Sequence, residues 1–124
     1  MKKIYSLLFV FFTFIVYSQN TAPVAKNQTV ITDSDTSVDI TLVATDVDND
    51  VLTYIVKSLP VNGKLKNGSS FVTASQLPLV LSASSLSYVP DTNFTGSDSF
   101  TLVARDLSIA SFAAANGLTI INNN

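Results

Sequence analysis

From Asn20 onward the hydrophobic and polar positions alternate with a period of two, and no helical period stands out. Val38, Ile40 and Leu42 alternate with Asp39, Thr41 and Val43, and Leu52, Tyr54 and Val56 with Thr53, Ile55 and Lys57. Leu86 and Tyr88 alternate with Ser87 and Val89, and Phe100, Leu102 and Ala104 with Ser99, Thr101 and Val103. Successive side chains on a strand point to opposite faces, so each set is expected to line one buried face. Turn signals separate the runs: Asp33-Ser34-Asp35, Asp46 to Asp50, Pro60 to Gly63, Asn67-Gly68, Pro90 to Gly96 and Asn116-Gly117. Thr, Val, Ile, Phe and Tyr dominate the runs, and these residues suit a pleated surface. Asn67-Gly68 marks a hairpin, since both residues tolerate positive φ. Ser75-Gln76-Leu77 can open a short helical turn, which Pro78 ends.

The pattern predicts about seven strands in two antiparallel sheets packed face to face. They are Gln28–Thr32, Val38–Ala44, Leu52–Ser58, Gly63–Lys66, Leu79–Ser82, Leu86–Val89 with Ser99–Arg105, and Leu118–Ile121. Pro23, at the entry, suits a segment that donates no ladder hydrogen bond.

The first eighteen residues read differently. Lys2 and Lys3 precede an apolar run from Ile4 to Tyr17, and Val16-Tyr17-Ser18 offers small or aliphatic residues at the −3 and −1 positions. This is the pattern of a secretory signal peptide over residues 1–18, cleaved after Ser18 or Gln19, leaving residues 19–124 as one domain. An uncleaved anchor is the alternative, but a run of about 14 residues falls short of the roughly 20 that span a bilayer. Lys2 and Lys3 leave with the signal, so the formal net charge of −2 on the 124-residue chain becomes −4. A mildly acidic surface repels nucleic acid and anionic lipid, so neither partner is expected, and no membrane contact after cleavage. His, Cys, Trp and Glu are absent, which excludes Cys–His and Ser–His–Asp machinery, ordinary zinc sites and disulfides.

Several stretches match a known family in order. Asn20-Thr21-Ala22-Pro23-Val24-Ala25 resembles the opening of bacterial cadherin-like, immunoglobulin-like tandem-95 repeats. Ala44-Thr45-Asp46-Val47-Asp48-Asn49-Asp50-Val51-Leu52-Thr53-Tyr54, then Leu86-Ser87-Tyr88-Val89-Pro90, then Asn93-Phe94-Thr95-Gly96-Ser97-Asp98-Ser99-Phe100 follow in the family's sequence. Pro60-Val61-Asn62-Gly63-Lys64-Leu65 is similar to its Pro-x-x-Gly-x-Leu turn. The resemblance implies an all-β, immunoglobulin-like (cadherin-like) antiparallel β-sandwich that is secreted or displayed at the cell surface. It further implies adhesion to other extracellular domains, protein or glycan, and frequently calcium.

The candidate chemistry sits in the acidic turn. Asp46, Asp48 and Asp50 place three carboxylates at alternate positions with no cation between them, and Asn49 adds a neutral oxygen. Hard oxygen ligands of this kind suit Ca²⁺. An EF-hand is excluded, because its sixth position would be Val51 and its twelfth Lys57. If Val38–Ala44 and Ser99–Arg105 are strands B and F of an immunoglobulin arrangement, Asp106 falls at the same pole as Asp46 to Asp50, with Asn20 near. Asp33, Asp35, Asp91 and Asp98 fall at the opposite pole. The expected site is therefore Asp46, Asp48, Asp50 and Asp106 around one Ca²⁺. The alternative is a solvated acidic turn, since Asp and Asn also bond their own backbone, with Arg105 as a neutralising cation.

Other features carry less. Tyr54, Tyr88, Phe94 and Phe100 are expected to point inward as core, not to form a sugar platform. Asp35-Thr36-Ser37 resembles an aspartic-protease triplet without its Gly. Every Asp is expected in a turn or on an exposed strand face, which leaves no carboxylate pair in a cleft and argues against an enzyme. Three Asn-x-Ser/Thr triplets begin at Asn27, Asn67 and Asn93, as chance allows in such a composition. Lys57, Lys64 and Lys66 are expected around one hairpin as edge protection. A carbohydrate-binding β-sandwich module is the second functional reading.

Overall fold

The computed structural model describes residues 19–107 and 116–123. The expected signal peptide over residues 1–18 lies outside the described residues. The strands are β1 (Val24–Ala25), β2 (Gln28–Asp33), β3 (Val38–Thr41), β4 (Ala44–Thr45), β5 (Leu52–Val56) and β6 (Gly63–Asn67). They continue as β7 (Ser70–Phe71), β8 (Leu79–Val80), β9 (Ser85–Pro90), β10 (Gly96–Asp106) and β11 (Asn116–Asn123). A single 3₁₀ turn, Ala74–Gln76, precedes β8, and Pro78 follows it as the sequence indicates.

One sheet runs β2-β11-β10-β5-β8 and the other β3-β9-β6-β7, with β1 and β4 forming a small pair of their own. The described residues therefore build an immunoglobulin-like β-sandwich. Each described pair is antiparallel except one. β2 lies parallel to β11, from Gln28 opposite Leu118 to Asp33 opposite Asn123. The cause is a sheet switch: β1 pairs antiparallel with β4, and the chain then crosses to the other sheet. The expected strand Val38–Ala44 is interrupted at the same place, between Thr41 and Ala44. The Gln28 side chain fills the gap, donating to the Thr41 carbonyl at 2.8 Å and accepting from the Val43 amide at 3.2 Å. An amide side chain thus replaces the main-chain partner that left.

The core lies between the two larger sheets. Ile40, Leu65, Leu86 and Tyr88 come from one, and Tyr54, Val56, Phe100, Leu102, Leu118 and Ile120 from the other. Burial of these alternating positions is the main source of stability, since the chain has no cross-link. Ile55 and Val103, opposite each other in the β5–β10 ladder, are also buried on the far side of their sheet. The hairpin near Asn67-Gly68 forms, but only Gly68 has positive φ, at 61°, and Asn67 ends β6. The expected strand Leu79–Ser82 shortens to two residues. Lys57 follows β5 in the five-stranded sheet while Lys64 and Lys66 lie on β6 of the other, so the three lysines do not guard one hairpin.

Candidate metal site at the acidic pole

The loop after β4 folds back on its own first carboxylate. Asp46 Oδ1 accepts the backbone N–H of Asp48 at 2.8 Å and of Asp50 at 3.2 Å. Asn49 takes the turn in the left-handed region, φ 60°, which Asn tolerates better than most residues. Both features follow from the Asp/Asn composition of the loop. The N-terminal segment closes over it: the Thr21 N–H donates to Asp48 Oδ2 at 2.7 Å, and Asn20 Nδ2 donates to Asp106 Oδ2 at 2.7 Å.

Asp46, Asp48 and Asp50 each bring a carboxylate oxygen within 4.8 Å of the others. Asp106 lies at the same pole but is not one of those three. It ends β10 opposite Leu52, is 1% exposed, and engages Asn20. Arg105, the neighbouring cation, sits opposite Thr53 in the same ladder. An open depression of about 370 Å³ is lined by Ala44, Thr45, Asp46, Asn49, Asp50 and Leu52.

The electrostatics are those of crowded like charges. Asp50 is raised above the ordinary carboxylate value, first by loss of solvent around its carboxyl and then by the charges of Asp46, Asp106 and Asp48. Asp50 is exposed overall, so solvent still reaches it and the three like charges are what set it apart from an ordinary surface carboxylate. Asp46 Oδ2 is buried and has no hydrogen-bond partner. A buried carboxylate oxygen without a donor is costly, and a cation or a hydrogen-bond donor would satisfy it. The donor set, hard oxygens in a flexible loop, fits Ca²⁺.

The opposite pole is built in the contrary way. Asp98 is buried, and its carboxylate accepts from the Val61 N–H at 3.0 Å, the Asn62 N–H at 2.8 Å, the Ser99 N–H at 2.9 Å and the Tyr88 hydroxyl at 3.1 Å. Asn93 N–H binds Asp35 Oδ1 at 2.8 Å, so Asp35 is a turn residue. The expectation that every Asp lies in a turn or on an exposed face therefore fails at Asp98 and Asp106. Their parity with Phe100, Leu102 and Ala104 on β10 carries that signal in the sequence.

Tyr54, Tyr88 and Phe100 are buried, whereas Phe94 is only half-buried in a loop. One aromatic escaped the sequence reading. Phe71 on β7 is exposed, with Lys66 Nζ at 5.1 Å and Lys64 Nζ at 5.9 Å from its ring centre.

The bacterial Ig domain family profile matches residues 20–119. The chain belongs to that family. Among solved structures it is similar to an endo-fucoidan hydrolase of glycoside hydrolase family 107, with TM-score 0.45 and 18% identity over 88% of this chain. The chain spans 15% of that protein's length. It is also similar to PapD-like domain 7 of human CEP192, with TM-score 0.41 and 10% identity, covering 89% of this chain and 94% of that one. No curated protein matches it in sequence. Among the described residues no helix is long and apolar enough to cross a membrane.

Proposed function

We propose that this bacterial Ig domain is an exported, non-enzymatic structural or adhesive module, secreted or displayed at the cell surface, whose acidic pole is stabilised by Ca²⁺. Asp46, Asp48 and Asp50 would hold the ion, and Asp106 adds its negative charge from beneath them. When bound, Ca²⁺ supplies the positive charge that relieves repulsion among the carboxylates. The chain's own part is to bring the loop after β4 against Asn20 and Thr21, so that one site ties the N-terminal segment to the body. The observation that carries this reading is the buried, donorless Asp46 Oδ2 beside two further carboxylates.

Calorimetric titration with CaCl₂ tests it. We expect a dissociation constant of about 10⁻⁴–10⁻³ M, the range of extracellular modules. At about ten times that constant, mass action adds about 1.4 kcal/mol of stability. Titration without heat up to roughly 10 mM Ca²⁺, together with an unchanged melting temperature, rejects the reading.

A glycan-binding role is the second reading, favoured by exposed Phe71 between Lys64 and Lys66. Selective signals on a glycan array that vanish in Phe71→Ala support it, and uniform silence removes it.

A further inference from the structure

Three of the four glycines follow an asparagine: Asn62-Gly63, Asn67-Gly68 and Asn116-Gly117. Such pairs can rearrange without an enzyme, because glycine has no Cβ to obstruct its own nitrogen. The glycine amide loses its proton to solvent and its nitrogen bonds to the asparagine Cγ, while the Cγ–N bond breaks and ammonia leaves. Water then opens the resulting five-membered imide at either carbonyl, leaving aspartate or isoaspartate. One water enters, one ammonia departs, and nothing is oxidised.

The sequence ranks the three pairs equally, but the fold does not. Gly63 lies in β6 opposite Pro90, packed so tightly under the Tyr88 ring that even a methyl group would collide with it. The Asn62 N–H is held by Asp98 at 2.8 Å, and its carbonyl accepts the Asp91 N–H at 2.9 Å and the Tyr88 hydroxyl at 3.3 Å. Ring closure would have to rotate a residue whose two flanking peptides are both held. Asn116 and Gly117 lie within β11, opposite Leu102 and Thr101.

Gly68 is placed otherwise. It lies between β6 and β7, outside the ladder that ends with Asn67 opposite Ser70. It is exposed, has φ 61°, and beyond its two chain neighbours no residue comes within 4 Å of where a Cβ would stand. With Asp39, Ser85, Leu86 and Ser87 it borders a pocket of about 190 Å³.

The structure assigns Asn67 as a self-modification site, where a neutral amide is converted to a carboxylate at the tip of the β6–β7 hairpin while Asn62 is protected by the fold. The new charge stands next in sequence to Lys66, whose ammonium lies over Phe71. The isoaspartate product also lengthens the main chain by one methylene at the last ladder pair, so β7 loses its register on β6.

The purified chain, held in mildly alkaline buffer with and without urea, tests this by peptide mass mapping that separates aspartate from isoaspartate. In the folded chain Asn67 gains about 1 Da at least tenfold faster than Asn62, and in urea the two rates converge. Asn67→Gln abolishes the acidic variant on ion exchange. Equal conversion of Asn62 and Asn67 in the folded chain overturns the assignment. So does a folded Asn67 that stays intact while the unfolded chain reacts.

Discussion

At Asp98 four donors converge on one carboxylate, and at Asp46 one oxygen of the same side chain has none. Replacing Asp98 by Ala leaves the Val61 and Asn62 amides without their acceptor and the Tyr88 hydroxyl with only the Asn62 carbonyl at 3.3 Å. Unfolding by urea should show a loss of about 3–5 kcal/mol, the scale for breaking a buried charge-assisted network. Tyr88 belongs to that network and is pushed up to about 12 from 10, by burial first and by the Asp98 charge, against a lowering by the Asn122 hydrogen bond. The folded chain then keeps a proton that the unfolded chain has released. This contribution is full below pH 10 and is lost as pH rises toward about 12. A stability profile that stays flat across that interval would contradict the assignment, and Tyr88→Phe should remove the slope. Asp98 was legible in principle, since it shares the inward parity of Phe100 and Leu102. Its polarity masked that parity, because Asp is ordinarily read as a turn former.

At the scale of elements, alternation predicted the long strands because both of their neighbours demand the same inward face. It failed where a strand ends or changes sheet. The break between β3 and β4 depends on where β1 leaves β4, and the Gln28 side chain that repairs it sits ten or more residues away from both groups it bonds. No local pattern contains that information. The β6 entry shows the opposite case. Gly63 was legible as part of a Pro-x-x-Gly-x-Leu turn, but its reason is a close approach to the Tyr88 ring. Gly63→Ala should therefore displace Tyr88 from its seat above β6 and cost about 1–3 kcal/mol, the usual range for overpacking. The same substitution at Gly68 meets open space and is limited to the strain of positive φ. Equal destabilisation by the two variants would show that the Tyr88 packing is not what requires Gly63.

Across the whole molecule the two poles hold carboxylates in opposite states. The far pole spends its Asp98 charge on backbone donors, and the near pole leaves Asp46, Asp48 and Asp50 facing one another. That contrast was partly legible: taking Val38–Ala44 and Ser99–Arg105 as strands B and F of an immunoglobulin arrangement placed Asp46 to Asp50 and Asp106 at one end, as the sandwich has them, but not the depth at which Asp106 lies. It also has a thermodynamic consequence. Because Asp50 is raised, there is a window between its ordinary value of 3.8 and its folded value in which the folded chain holds a proton the unfolded chain has lost. The group therefore favours folding on the acid side of that window, fully so below 3.8, and the advantage disappears as pH rises through it. Protonation and Ca²⁺ relieve the same repulsion, so they should compete. Melting temperature against pH, in chelator and in excess Ca²⁺, reads this directly. Ca²⁺ should raise the melting temperature near neutral pH, and the gain should fade as the solution is acidified into the carboxylate range. Asp50→Asn in chelator should be at least as stable as the unaltered chain near neutral pH, having lost a repulsive charge, yet gain less from Ca²⁺. A calcium effect that persists undiminished at acid pH would place the ion elsewhere than among these three side chains.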